Sequence, residues 1–363
     1  MTRIAILTPS LYAGDAIGRD VIGMYQVLTD YGHDVQMFAD NWNIAEHEVK
    51  HVNKISHFLR NDSSLLIYHY SMGWNVGFDL LKETKCKKVV KYHNITPAEF
   101  FTGISTDFEK VCRFGREQLG YIARSECDLY LSDSEYNMQE LISEGAEASK
   151  NLVVPPFQNI DRLSFLEADL NILNSFSDRI TNILMVGRLA PNKGHVSLIN
   201  AFAIYHYNYN KNSRLLIVGK KDDRLSIYTN SLHDMVARLG LEESIVFTGE
   251  VSDKVLKSYY LVSNVFMIAS EHEGFCVPLV EAMAMKVPIV AYGSSAIPST
   301  VNKAGLVWNE LDPWLLAGSV NHIVNNEMVS SALSLMGWNR YQQLFQNERI
   351  ENRLLEALRS FLL

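Results

Sequence analysis

Glu273 and Glu281, in the stretch EHEGFCVPLVEAMAMKVPIVAYG, are two acids with seven residues between them, set among apolar and small neighbours. A glycine follows the first, and Pro278 stands three residues before the second. Proline suits the first turn of a helix, so Glu273 is expected at a loop tip and Glu281 in the opening turns of the helix that follows. The amides of Phe275, Cys276 and Val277 then point at whatever sits before that helix. A carboxylate on a rigid loop accepts hydrogen bonds from vicinal hydroxyls. Together these parts can grip a polyol at one end and a ribose or phosphate at the other. The plainer alternative is a capped helix with an acid near its start, worth a few tenths to ~1 kcal/mol.

A second stretch, VGRLAPNKGH, offers Arg188 and Lys193 with Gly187 and Gly194, just past a strand-like run. A planar fork and a point charge five residues apart fit a diphosphate, although surface charge on a turn would read the same way. Gly14 and Gly18 follow the first strand-like run, where backbone can approach a ligand closely.

These residues need elements to hold them. The first forty residues read strand (RIAILTPS), glycine-bearing loop, helix (RDVIGMYQVLTDYG), tight turn and strand (HDVQMFAD). SLLIYHY, KVVKYHN and CDLYLSDS continue as strands with helices or loops between them. The pattern pauses at NLVVPPFQNIDRLSFLEADLNILNSFSDR, which reads as a linker, and restarts with NILMVGRL, SRLLIVGK, SIVFTGE, NVFMIAS and KVPIVAYG. Strands alternating with helices mean parallel, doubly wound sheets, here in two α/β halves. Ligands in such sheets sit at the carboxyl ends of the strands, so a cleft facing both sets of ends is the expected site. The tail MGWNRYQQLFQNERIENRLLEALRSFLL reads as an amphipathic helix of mixed charge that packs on the protein.

The chain has 363 residues, which favours two domains, and its formal charge of −8 disfavours a nucleic-acid partner. Four cysteines without a paired spacing suggest reduced thiols. No signal peptide and no apolar run long enough for a membrane span are read, so the protein is expected in the cytoplasm, either free or peripheral at the inner face of the membrane. The run KETKCKKVVKYHN gathers Lys82, Lys85, Lys87, Lys88 and Lys91, read as a solvated strand edge or a patch for anionic headgroups.

As a set, these motifs resemble the retaining family-4 glycosyltransferases of GT-B architecture, over most of the chain. EHEGFCVPLVEAMAMKVPIVAYG looks like their E-x7-E signature and GRLAPNKG like their donor-diphosphate motif. YHYSMGW, KYHNITPAEFF and DSEYNMQEL look like acceptor-domain turns of a branch that builds cell-surface polysaccharides. The resemblance implies two Rossmann-like domains facing a central cleft: residues 1–160 with a returning C-terminal helix at about 343–363 for the acceptor, and 161–342 for the donor. It also implies transfer of a hexose from GDP-mannose or a UDP-hexose to a glycan hydroxyl, lipid-linked, with no cofactor and no metal. In that reading Arg188 and Lys193 hold the diphosphate, Glu281 the ribose, and Glu273 the donor sugar beside the Phe275, Cys276 and Val277 amides. His93 touches the donor sugar and helps align the acceptor, and Gly14 with Asp15 forms a loop closing near the phosphates. Cys276 stands where Gly is frequent, Lys286 where a Gly usually precedes the Pro, and Ser299 where a Glu often follows a Pro. The first loop, AGDAIG, lacks paired glycines.

Four rivals compete. HEVKHVNKISH nearly spells a zinc-protease signature, with His47, His51 and His57 as ligands and Glu48 as base, but Lys54 replaces its glycine. Asp40 at the end of the second strand suits a dehydrogenase ribose, yet no G-x-G-x-x-G precedes it. A GT-B-like sugar-nucleotide epimerase and a non-catalytic sugar-nucleotide-binding protein complete the set.

Overall fold

The structure, a computed structural model, describes residues 2–12, 14–59 and 63–362. It divides into two compact units, one of Met1–Ala98, Phe108–Asn159 and Asn347–Leu363, the other of Glu99–Asp107 and Ile160–Gln346.

In the first unit seven strands form one sheet: β1 (Arg3–Leu11), β2 (Asp34–Trp42), β3 (Val49–His51), β4 (Leu65–Tyr70), β5 (Lys87–Tyr92), β6 (Leu129–Ser132) and β7 (Asn151–Val153). Their order is β3-β2-β1-β4-β5-β6-β7, and every pairing is parallel. Parallel neighbours need crossovers, and these put helices on both faces, so the central strand LLIYHY is buried along its whole length. One face carries Ile4, Ile6, Met37, Leu65, Ile67 and Val89, closed by Ile350, Leu354 and Leu358 of the C-terminal helix Asn347–Leu362. Those three recur every four residues, the spacing of one helical stripe. The tail is two helices rather than one, because Glu327–Leu344 ends before Phe345 and Asn347 starts the next.

In the second unit β8 (Thr181–Val186), β9 (Ser213–Val218), β10 (Ile245–Gly249), β11 (Val265–Ile268), β12 (Ile289–Tyr292) and β13 (Gly305–Trp308) form a parallel sheet in the order β10-β9-β8-β11-β12-β13. Alternate residues serve opposite faces. Ile183, Met185, Leu215, Ile217, Val265 and Met267 enter one core, while Leu184, Leu216, Phe266 and Ile268 enter the other. A strand buried on both faces needs this unbroken apolar run. In both sheets the order reverses once, between β1 and β4 and between β8 and β11.

Several expectations change. Asn151–Val153, read as linker, is an edge strand, and two short helices, Ile160–Phe165 and Leu170–Phe176, follow it. β5 is an interior strand, so the lysine run is no sheet edge: Lys91 is wholly buried, and Lys87 and Lys82 pair with Asp128 and Asp79. The stretch 99–107, read with the first half, packs in the second unit, where Ile104 meets an apolar core and Phe100 lies against the ring of His272. The zinc-like segment does not form one helix. Val49–His51 is a strand and Val52–Lys54 a single 3₁₀ turn, so His47 and His51 do not share a helical face. His51 instead faces Asp40, with Nε2 3.3 Å from its carboxylate.

Candidate functional site

In the second unit the loops after β8 and β11 flank the point where strand order reverses, the place where open α/β sheets bind ligands. The β8 loop carries Arg188, exposed, and Lys193. The β11 loop carries Glu273, whose side chain is only 8% exposed. The Nζ of Lys193 lies 2.8 Å from each oxygen of Glu273.

Asn192 stitches the two loops together. Its backbone carbonyl accepts from the amides of Glu271 and His272, at 2.9 and 3.3 Å, and its side-chain amide donates to the carbonyl of His272 at 3.1 Å. Gly194 follows in the left-handed region, with φ of 64°, and a Cβ there would stand 1.9 Å from the carbonyl oxygen of Ala269. No other residue fits, so Gly194 lets the Lys193 loop lie directly on the end of β11. Gly219, at the end of β9, is equally constrained, since a Cβ would meet the carbonyl of Gly187 at 1.9 Å. From the other side Ser295 accepts from the amide of Glu273 at 2.7 Å, and the amide of Ala296 donates to the carbonyl of Glu273. Sequence reading missed Asn192, Gly219, Ser295 and its neighbour Ser294, whose hydroxyl donates to the carbonyl of Ser270 at 2.6 Å. The visible signal for the last two was the small-residue run YGSSA directly after a strand.

The helix Val277–Ala284 starts where Pro278 suggested. Cys276 precedes it in the left-handed region, with φ of 71°, and its buried thiol is pushed well above its ordinary range by burial and by the charge of Glu273. Phe275 is buried against Phe345. Glu281 is buried in the second turn of this helix and accepts from the hydroxyl of Tyr260 at 2.7 Å. The structure thus brings Lys193 and Glu273 into contact, places Arg188 on the same loop as Lys193, and holds Glu281 one helix turn beyond Val277. His195, the first residue of the next helix, is fully buried. Burial and the Lys193 ammonium pull its pKa down to about 3.

In the first unit Gly14 is exposed with φ of 83°, and Asp15, also exposed, precedes the helix Ala16–Asp30 without capping it through its side chain. His93 follows β5, but its ring is turned inward and is 4% exposed. Its Nδ1 is 3.0 Å from Asp133 and its Nε2 is 2.8 Å from Nδ1 of His69. His69, which sequence reading left as a core or flanking histidine, is therefore its direct neighbour.

Residues 170–337 match the family described as Glycosyl transferases group 1. That stretch spans β8 to β13 and most of the second unit. It contains Arg188, Lys193, Glu273 and Glu281, all of the second-unit residues singled out for charge. The mannosylfructose-phosphate synthase of Agrobacterium fabrum is 27% identical over 66% of this chain and 54% of its own length. The capsular polysaccharide biosynthesis glycosyltransferase CapM of Staphylococcus aureus is 25% identical over 63% of this chain and 60% of its own. The chain therefore spans a little over half the length of these relatives. A crystal structure of Anabaena HepE in complex with UDP and glucose has a TM-score of 0.79 at 17% identity, covering 99% of this chain and 100% of that one. The fold is GT-B, built from two Rossmann-like sheets. No helix among its described residues is long and apolar enough to cross a membrane.

Proposed function

We propose that this protein is a retaining hexosyltransferase of cell-surface polysaccharide biosynthesis. It moves a hexose from a nucleoside-diphosphate sugar, a UDP-hexose or GDP-mannose, to a glycan hydroxyl carried on a lipid. The reading rests on the juxtaposition of Lys193 and Glu273 at the reversal of the second sheet, with Arg188 on the same loop as Lys193. Relatives named for a mannosyl product and for capsular polysaccharide, and a structural neighbour that holds UDP and glucose, support it.

Arg188 and Lys193 bind the diphosphate and neutralise the charge that grows on it as the bond to the anomeric carbon breaks, a task two cations perform without a metal or other cofactor. Glu273 and the amides of Phe275, Cys276 and Val277 hold hydroxyls of the sugar, and Glu281 binds the ribose. The acceptor oxygen attacks the anomeric carbon from the face the diphosphate leaves. The electron pair of the broken bond goes to the departing phosphate oxygen, and a phosphate oxygen takes the proton of the acceptor hydroxyl. The first unit binds the acceptor, with Gly14 and Asp15 in its closing loop and His93 in support. The enzyme works in the cytoplasm, at or near the inner face of the membrane.

A thermal-shift screen with UDP, GDP and ADP, followed by assay of the matching sugar nucleotides with and without glycan acceptor, tests the reading. Stabilisation by one diphosphate and product only with acceptor are the expected results. Epimerised donor without acceptor would select the epimerase, and tight binding with no turnover under any acceptor the non-catalytic protein.

A further inference from the structure

The carboxyl ends of β4, β5 and β6 converge on a buried set of ionisable side chains: His69, Lys91, His93 and Asp133, joined from the helix Ala16–Asp30 by Asp20. Their side chains are at most 6% exposed, an expensive place for charge unless each group answers another. Lys91 Nζ is 2.7 Å from Asp133, and it also donates to the carbonyl of Val154. Asp20 accepts from the amide of Phe157 through Oδ1, while its Oδ2 stands 3.7 Å from His93 Nε2 and 3.8 Å from His69 Nδ1. Among the described residues neither that oxygen nor the buried Nε2 of His69 has a hydrogen-bond partner.

Donor atoms of Asp20, His69 and His93 lie within 4.8 Å of one another, a spacing that also suits a metal ion. Ring geometry argues otherwise. The two nitrogens are 2.8 Å apart while the ring centres are 5.0 Å apart and the planes only 20° from parallel. The rings therefore extend away from the contact in nearly opposite directions, and each nitrogen points at the other. That is a linear N–H···N hydrogen bond. A metal would require both lone pairs to turn toward a third point.

We propose that His69 and His93 hold one mobile proton as a single unit, with Asp133 fixing one end and His69 as the positioning residue that lets His93 change charge without losing a hydrogen bond. Although burial works against its charge, His93 and Lys91 keep Asp133 below the usual carboxylate range, so it accepts from His93 Nδ1–H. With His93 neutral, its Nε2 accepts from His69 Nδ1–H, and His69 Nε2 is bare. One proton arriving at His69 Nε2 moves the Nδ1 proton across to His93 Nε2. His93 becomes the cation between Asp133 and Asp20, His69 is again neutral, and the shared bond persists with donor and acceptor exchanged. A second proton is opposed by burial of His69 and by the positive charges of His93 and Lys91, which hold its pKa well below the ordinary value. Asp20, raised above the usual carboxylate range mainly by burial, completes the ring of charges around the pair. The proposal depends on the first unit alone and is independent of the donor assignment.

Imidazole nitrogen NMR of the full chain, labelled in histidine and titrated across about pH 5 to 9, tests it. Both rings are expected to respond with one shared midpoint and one proton taken up, and His93 Nδ1 is expected to stay protonated throughout. His69→Phe removes the acceptor for a charged His93 and should lower its midpoint by about one pH unit or more. His69→Asn presents an amide near the Nδ1 position, able to donate or accept, and should hold the midpoint near that of the wild type. A purely structural His69 would lower stability and leave the midpoint in place. Two independent midpoints in the wild type, an unmoved His93 midpoint in folded His69→Phe, or a stoichiometric metal ion on these rings would each overturn the proposal. If His69→Phe does not fold, the wild-type titration decides alone.

Discussion

Lys193 donates to both carboxylate oxygens of Glu273 at 2.8 Å, so the cation proposed for phosphate and the acid proposed for sugar occupy each other in the free protein. Their side chains are 17% and 8% exposed, too sheltered for solvent to screen the pair away. A diphosphate must compete with Glu273 for Lys193. Glu273→Gln removes the competitor and a repelling charge, so nucleoside diphosphate without sugar should bind about tenfold tighter. Turnover should fall at the same time, because the amide is a poorer acceptor for sugar hydroxyls. Calorimetry with UDP and GDP, beside initial rates, checks both; weaker diphosphate binding in the variant would contradict the competition.

Lys91 and Lys87 lie four residues apart on one strand yet answer Asp133 and Asp128 in opposite surroundings. Lys91→Ala leaves Asp133 buried with one charged partner fewer and should cost about 3–5 kcal/mol. Lys87→Ala breaks a solvent-facing pair and should cost less than about 1 kcal/mol. Urea unfolding of the two variants measures the contrast, and equal losses would disprove it.

His195 gives stability a pH dependence. Its folded pKa is depressed to about 3 from 6.5 by burial and by Lys193, against a hydrogen bond with Ala190. Its contribution is full above the unfolded value. Between about pH 6.5 and 3 only the unfolded chain takes up the proton, so stability falls with falling pH by up to about 1.4 kcal/mol per unit. His195→Asn should flatten that slope by close to one proton. Denaturant titrations at several pH values between about 4 and 7 test it; an unchanged slope in the variant would place the proton elsewhere.

Lys286 ends the helix Val277–Ala284 in the left-handed region, with φ of 57°, where glycine is favoured. Lys286→Gly relieves that strain but gives up the contact of Nζ with the Trp338 ring, 5.0 Å from its centre. The balance should favour the variant by about 0.5–1 kcal/mol. A lower melting temperature than wild type would show that the ring contact outweighs the strain.

Much of this architecture was legible because a strand buried on both faces must be continuously apolar. NILMV, RLLIV and VFMI announce themselves, and the glycine and proline between them mark the loops that carry Arg188, Lys193 and Glu273. Illegible features depended on partners distant in the chain. Lys91 reads as a surface cation until Asp133 and Val154 close over it. Val49–His51 is too short to stand as a strand without β2 beside it. The inward turn of His93 required His69, from the neighbouring strand. Asn192 looks like an ordinary turn residue until its bonds to the β11 loop are drawn.

Equilibrium binding of UDP and GDP to the wild type and to folded Arg188→Ala/Lys193→Ala, at one ionic strength, tests the central claim most directly. One diphosphate should bind the wild type with a stoichiometry of about one, and the variant at least about a hundredfold more weakly, the loss expected for two charge-assisted phosphate contacts. Undiminished affinity in the variant, or no binding of either diphosphate to the wild type, would contradict the assignment of this site.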